Sequence, residues 1–136
     1  NQEFYIVDLP GYGFAKVPKA MKKEWGSTIE RYIISTRTKL VFVLLDIRRI
    51  PSEEDMEMLR WLDFHNLPFK IIFTKTDKIS NNEKFRLLKE IRKKIEFHNE
   101  DVFFYSSLSH KGREEVLQFM EDTLKEAGGN VDEGIE

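Results

Sequence analysis

The sequence predicts an α/β fold, a mainly parallel sheet with helices on both faces, from three observations. Short apolar runs bounded by polar turns recur four times, helical patterns fall between them, and an aspartate with a glycine closes the first run. The runs, Glu3 to Val7, Lys39 to Leu45, Phe69 to Phe73 and Val102 to Tyr105, are rich in Phe, Ile and Val. That length and content suit strands buried on both faces. Strands alternating with helices are joined by right-handed crossovers and therefore lie parallel.

Each element has its own signal. Glu3 to Val7 is the first strand and runs into Asp8-Leu9-Pro10-Gly11. After Pro18, which suits a first helical turn, Met21, Trp25, Ile29, Tyr32 and Ile33 recur at helical spacing. Lys39 to Leu45 is the next strand. Ser52, with Asp55 three residues on and then Met56, Leu59 and Leu62, reads as a capped helix. Phe69 to Phe73 leads into Thr74-Lys75-Thr76-Asp77, and Phe85, Leu88, Ile91 and Ile95 mark a third helix. Val102 to Tyr105 precedes Ser106-Ser107-Leu108, and Val116, Phe119, Met120 and Leu124 mark a fourth helix. Residues 1–126 thus read as one partial domain, and the Gly- and acid-rich stretch from Ala127 to Glu136 as a disordered tail.

Composition narrows the function classes. A chain of 136 residues, 40% hydrophobic, is enough for one core. A net charge of −2 does not mark a nucleic-acid binder by bulk electrostatics. The lack of cysteine excludes disulfides and thiolate metal sites and agrees with a reducing cytosol. No apolar run approaches the roughly 18 residues of a membrane span, and no signal peptide is visible. His65, His98 and His110 show no ligand spacing.

An aspartate and a glycine at a strand's carboxyl end stand where an α/β sheet places phosphate and metal. D-x-x-G alone is weak, since about every second chain of this length holds one by chance. T-K-x-D at a strand end is far rarer. The ordered set of strand-ending D-x-x-G, T-K-x-D and S-S-L resembles the third, fourth and fifth motifs of the Ras-like GTPases. The longer run Asp8-Leu9-Pro10-Gly11-Tyr12-Gly13-Phe14-Ala15-Lys16-Val17 sharpens the match. With Asp46-Ile47-Arg48-Arg49-Ile50-Pro51, Asp55 and Thr74-Lys75-Thr76-Asp77-Lys78, it resembles the bacterial ribosome-assembly GTPases of the EngB (YihA/YsxC) family, over about residues 3 to 124.

The resemblance implies a Ras-like P-loop NTPase fold of three layers with strand order 2-3-1-4-5-6. The first strands and the phosphate-binding loop would be missing, because no G-x-x-x-x-G-K-[ST] occurs and only seven residues precede Asp8, too few for a switch threonine. The chain, opening on Asn1, then reads as the carboxyl-terminal two-thirds of a domain. A slot would lie between the strand at 3–7 and that at 39–45, and its unpaired edges would make the chain fold poorly alone.

The resemblance also assigns a site residue by residue. Asp77 would accept two hydrogen bonds from the N1–H and N2–H₂ edge of guanine, which adenine does not offer. Lys75 would lay its stem along the base, Thr74 would orient the loop, where Asn is commoner among GTPases, and Thr76 would complete it. Backbone N–H groups of Ser106, Ser107 and Leu108 would meet guanine O6 while a serine hydroxyl steadies Asp77. Asp8 would hold Mg²⁺ through a water, and Gly11, with Leu9 and Pro10, would bring a bare N–H close to the γ-phosphate. Tyr12 stands where many GTPases carry a water-orienting glutamine, which implies slow hydrolysis or a catalytic group from elsewhere. The catalytic residue is thus left unassigned. Tyr12, Gly13, Phe14, Ala15 and Lys16 would form the switch, with Phe14 alternatively packing under the next helix. Arg86, Lys89 and Lys93 fall on one side of the third helix and would suit rRNA phosphates or a solvated face, Glu83 and Glu90 diluting the patch.

The function implied is hydrolysis of GTP to GDP and phosphate, with Mg²⁺, as a cytoplasmic switch in assembly of the large ribosomal subunit. In the family that role is associated with cell division and septation. Partners would be guanine nucleotide and the large subunit or its rRNA, with no membrane and no DNA. The alternatives are a guanine-nucleotide-sensing module without turnover, which Tyr12 permits, and a flavodoxin-like domain.

Overall fold

The computed structural model describes residues 4–9, 19–35 and 40–129. Within them the chain runs α1 (Lys19–Ser35), β1 (Val41–Asp46), α2 (Glu53–Phe64), β2 (Phe69–Thr74), α3 (Asn81–Ile91), β3 (Val102–Phe104) and α4 (Arg113–Gly129). Single 3-10 turns span Thr76–Lys78 and Asn99–Asp101. The sheet has the order β1-β2-β3 with both pairs parallel. Parallel neighbours need crossovers, and α2 and α3 supply them.

Side chains alternate across the sheet, so each face has its own helices. Val43 and Leu45 of β1, Ile71 and Phe73 of β2 and Val102 of β3 form one buried cluster with Leu59 and Leu62 of α2 and with Ile91 and Ile95. Phe73, Leu62 and Ile91 are fully buried there, each worth roughly 1.5–3 kcal/mol over exposure. On the opposite face Phe42 and Phe103 meet Phe119 of α4, ring centres 6.3 and 5.2 Å apart. Helices on both faces of a parallel sheet make three layers, the Ras-like α/β arrangement that the sequence predicts.

Helix starts follow the capping chemistry. Ser52 Oγ accepts the Asp55 N–H and Asp55 Oδ2 accepts the Ser52 N–H, at 3.2 and 2.7 Å, so two donors at the start of α2 are satisfied reciprocally. Ser80 and Glu83 repeat the device at α3, at 3.3 and 2.9 Å. That helix stops at Ile91, one turn short of the expected Ile95, which is buried in the following turn with its N–H on Ile91 O.

Two expectations are corrected. Residues 4–9 form no strand, and Phe4, Tyr5, Ile6 and Val7 are all at least half exposed. A strand exists only through its pairing, and among the described residues no strand pairs with this segment. Apolar content alone does not make it. At the other end, α4 continues to Gly129, three residues into the stretch from Ala127 expected to be irregular; residues 130–136 lie outside the described residues. Among the described residues no strand pairs with the outer edge of β1, and no helix is long and apolar enough to cross a membrane.

Candidate functional site

In-register pairing sets Asp46 opposite Thr74, so β1 and β2 end level. The loops after β1, β2 and β3 therefore rise side by side at the carboxyl edge of the sheet, where open α/β sheets bind ligands. Lys75 leaves β2 in the left-handed conformation, φ 61° and ψ 34°. That turn folds Thr76–Lys78 back, with the Lys78 N–H on Lys75 O at 3.0 Å. Neighbouring backbones are stitched together: Tyr105 N–H donates to Phe73 O at 2.8 Å and Thr76 N–H to Tyr105 O at 3.4 Å.

This stitching brings Asp77 to Ser106. The Ser106 hydroxyl donates to Asp77 Oδ1 at 2.6 Å and accepts the Ser109 N–H at 3.1 Å. Ser106 is fully buried, and its own N–H donates to Lys111 O at 3.0 Å. The hydroxyl bond holds the Asp77 carboxyl below the usual carboxylate range, with the nearby Lys78 ammonium, 3.6 Å away, acting in the same direction. Asp77 is thus an ionised acceptor at neutral pH. A carboxylate offers about four lone-pair sites, so one bond to Ser106 leaves capacity for a pair of outside N–H donors.

Asp46 belongs to the Asp46–Pro51 motif but has no role assigned from sequence. The structure makes it the centre of a charged cluster. Its Oδ1 accepts from the Arg48 backbone N–H and Nε, both at 3.0 Å, and its Oδ2 meets Arg48 Nη2 at 2.7 Å and Lys75 Nζ at 3.0 Å. The Arg48 guanidinium first, then Lys75, holds the Asp46 carboxyl far below the ordinary value against the opposing effect of burial. The only sequence signal was an aspartate at a strand end with an arginine two residues on; the lysine contact comes from β1–β2 register.

Other expected site residues are placed less closely. Thr74 Oγ1 donates to Leu45 O at 3.3 Å, anchoring the loop to β1. Thr76 Oγ1 is buried without a hydrogen-bond partner. Ser107 and Leu108 are exposed. Asp8 is exposed and Leu9 half-buried on irregular chain. Pro10, Gly11 and the expected switch, Tyr12, Gly13, Phe14, Ala15 and Lys16, lie outside the described residues. Arg86 and Lys89 are exposed on α3, whereas Lys93 lies beyond its end and pairs with Glu90 at 2.7 Å. Among the described residues no three His, Cys, Asp or Glu side chains group to hold a metal.

The arrangement suits binding: an ionised carboxylate, fixed by a buried hydroxyl, beside a lysine whose ammonium is fixed by a second carboxylate. Comparison with known proteins finds no matching family model. Among curated relatives, the probable GTP-binding protein EngB of Fusobacterium nucleatum subsp. nucleatum is 68% identical over 124 residues, covering 91% of this chain and 64% of the relative. The protein of that name in Geobacter metallireducens is 45% identical over 126 residues, covering 91% and 61%. Its counterpart in Caldanaerobacter subterraneus subsp. tengcongensis is 39% identical over 126 residues, covering 92% and 65%. The chain thus spans a little under two thirds of the length of the curated relatives it matches.

Proposed function

This chain belongs to the EngB family of GTP-binding proteins, and from that premise we propose that it carries the base-recognising side of a GTP site. The observation that carries the reading is the Ser106–Asp77 hydrogen bond of 2.6 Å, which joins the fourth- and fifth-motif loops. Asp77 accepts guanine N1–H and N2–H₂, the stem of Lys75 covers the base, and the N–H groups of Ser107 and Leu108 face its O6; the Ser106 N–H, expected to join them, is instead taken up by Lys111 O at 3.0 Å. A site built to pair with those donors rejects a base that lacks them, because its own carboxylate would then be left unpaired.

The phosphate side belongs to Asp8, Leu9, Pro10 and Gly11, and the segment Tyr12 to Lys16 is the switch. For Mg²⁺ the donor set fits a water-mediated contact only: Asp8 offers one exposed carboxylate, and Mg²⁺ keeps several of its waters. Bound there, the ion would neutralise phosphate charge. The whole protein, we infer, hydrolyses GTP to GDP and phosphate slowly, since Tyr12 replaces a water-orienting glutamine, and serves large-subunit ribosome assembly in the cytoplasm, with an associated role in cell division and septation. Tyr12 equally supports the second reading, a guanine-nucleotide sensor without turnover.

Competition of GTP, GDP and ATP for a protein of the relatives' length tests the first claim, and single-turnover phosphate release separates the two readings. Equal affinity for ATP and GTP would sink both. Asp8→Ala should weaken GTP more than GDP, and amide exchange across residues 11–20 should slow with a non-hydrolysable GTP analogue relative to GDP.

A further inference from the structure

Lys75 is a long side chain with half its surface exposed, yet its ammonium is fixed at 3.0 Å from Asp46 Oδ2. Exposed lysines lose rotamer freedom when ordered, so a lysine that must lie along a ligand binds better if something else orders it first. Asp46 is built for that task. Its side chain is only 15% accessible, it stands level with Thr74 across the β1–β2 pair, and Arg48 grips it through Nε, Nη2 and its backbone N–H. Arg48 saturates Oδ1 and shares Oδ2, which leaves the carboxylate one well-defined direction in which to hold a second cation.

We propose that Asp46 is the positioning residue for Lys75 in nucleotide binding, held in turn by Arg48. The proposal rests on the guanine-nucleotide reading above and adds a residue to which that reading assigns no role. Asp46 acts on the base side, so its loss affects GTP and GDP alike and leaves the choice of base with Asp77. A different structural role, such as holding β1 to β2, would lower stability irrespective of what stands at position 75.

The test is a double-mutant cycle on GDP affinity in a protein of the relatives' length. Asp46→Asn should weaken GDP and GTP about tenfold each, or ~1.4 kcal/mol. In a Lys75→Ala background the same substitution should change affinity less than about twofold, because the lysine it positions is gone. Asp46→Glu keeps the charge with one extra methylene; it should cost about threefold or less and carries the same cycle should the asparagine variant not fold. Equal losses with and without Lys75, or no loss at all, would overturn the proposal. Tighter binding by Asp46→Asn would also overturn it, showing that the carboxylate withholds the lysine. Wild-type protein that binds no guanine nucleotide contradicts the parent reading instead, whereas binding that depends on Lys75 but not on Asp46 contradicts this inference alone.

Discussion

Ser106 and Asp77 lie 29 positions apart in sequence and 2.6 Å apart in space, hydroxyl on carboxylate. That bond exists because β2 and β3 are adjacent and parallel, with Tyr105 N–H on Phe73 O immediately beneath it. Ser106→Ala removes the donor to Asp77 and leaves the Ser109 N–H without its acceptor. We expect about tenfold weaker binding of both GTP and GDP, and a stability loss of ~1–2 kcal/mol for the buried hydroxyl. Paired nucleotide titrations and denaturant unfolding measure the two. Unchanged affinity would detach Ser106 from base recognition.

Gly112 supports the same loop from below. Its φ is +83°, and a Cβ built there would stand 1.8 Å from Phe104 O, a backbone atom that cannot move aside cheaply. Gly112→Ala should therefore destabilise the protein by at least ~2 kcal/mol through strain and clash together. The denaturation midpoint reports it. Because the neighbouring Lys111 carbonyl holds the Ser106 N–H, nucleotide affinity should fall in parallel, and stability within ~0.5 kcal/mol of wild type would contradict the geometry.

Acid should unfold the protein from the carboxylate range downward. Asp46, Asp77 and Asp101 are all held below their ordinary values, by Arg48, Ser106 and Lys70 respectively. For a depressed carboxylate the unfolded chain binds the proton first. The contribution is therefore fully present above the unfolded value of about 3.9 and is lost as pH falls through the lower folded values. Urea midpoints should stay level from pH 7 to about 5 and drop below about 4. Asp101→Asn should make that drop shallower; a midpoint that declines steeply between pH 7 and 5 would point to other groups.

The 136-residue chain by itself should associate. Phe4, Tyr5, Ile6 and Val7 are exposed, Leu44 is 62% exposed on β1, and the outer edge of that strand pairs with nothing among the described residues. Such an edge templates pairing with other chains. Light scattering should show growth in size with concentration in the micromolar range. A strictly monomeric chain at the same concentrations would mean that the edge is covered.

What the sequence made legible is what local chemistry encodes. The Ser52–Asp55 box, the helical spacing of Met56, Leu59 and Leu62, and the three short apolar runs that become β1, β2 and β3 all announce themselves within a few residues. Two things did not. Phe4 to Val7 has strand composition, but a strand is a relation to a partner, and among the described residues none lies beside it. Asp46 shows no more than a strand-end aspartate, because its contact with Lys75 depends on the level ends of two parallel strands, a property of register. Ile95 illustrates the same limit at smaller scale: its burial follows from a turn, so helical periodicity from Ile91 overshot the end of α3.

The most direct test of the account is the nucleotide preference of Asp77→Asn in a protein of the relatives' length. Wild type should prefer GTP over both ATP and xanthosine triphosphate by at least about a hundredfold. In the variant the side-chain amide can donate to the xanthine 2-oxo group, so GTP affinity should fall by about that factor while xanthosine triphosphate becomes the preferred ligand. If the variant loses no GTP affinity, or gains none for the xanthine nucleotide while remaining folded, Asp77 does not read the base and the central claim fails.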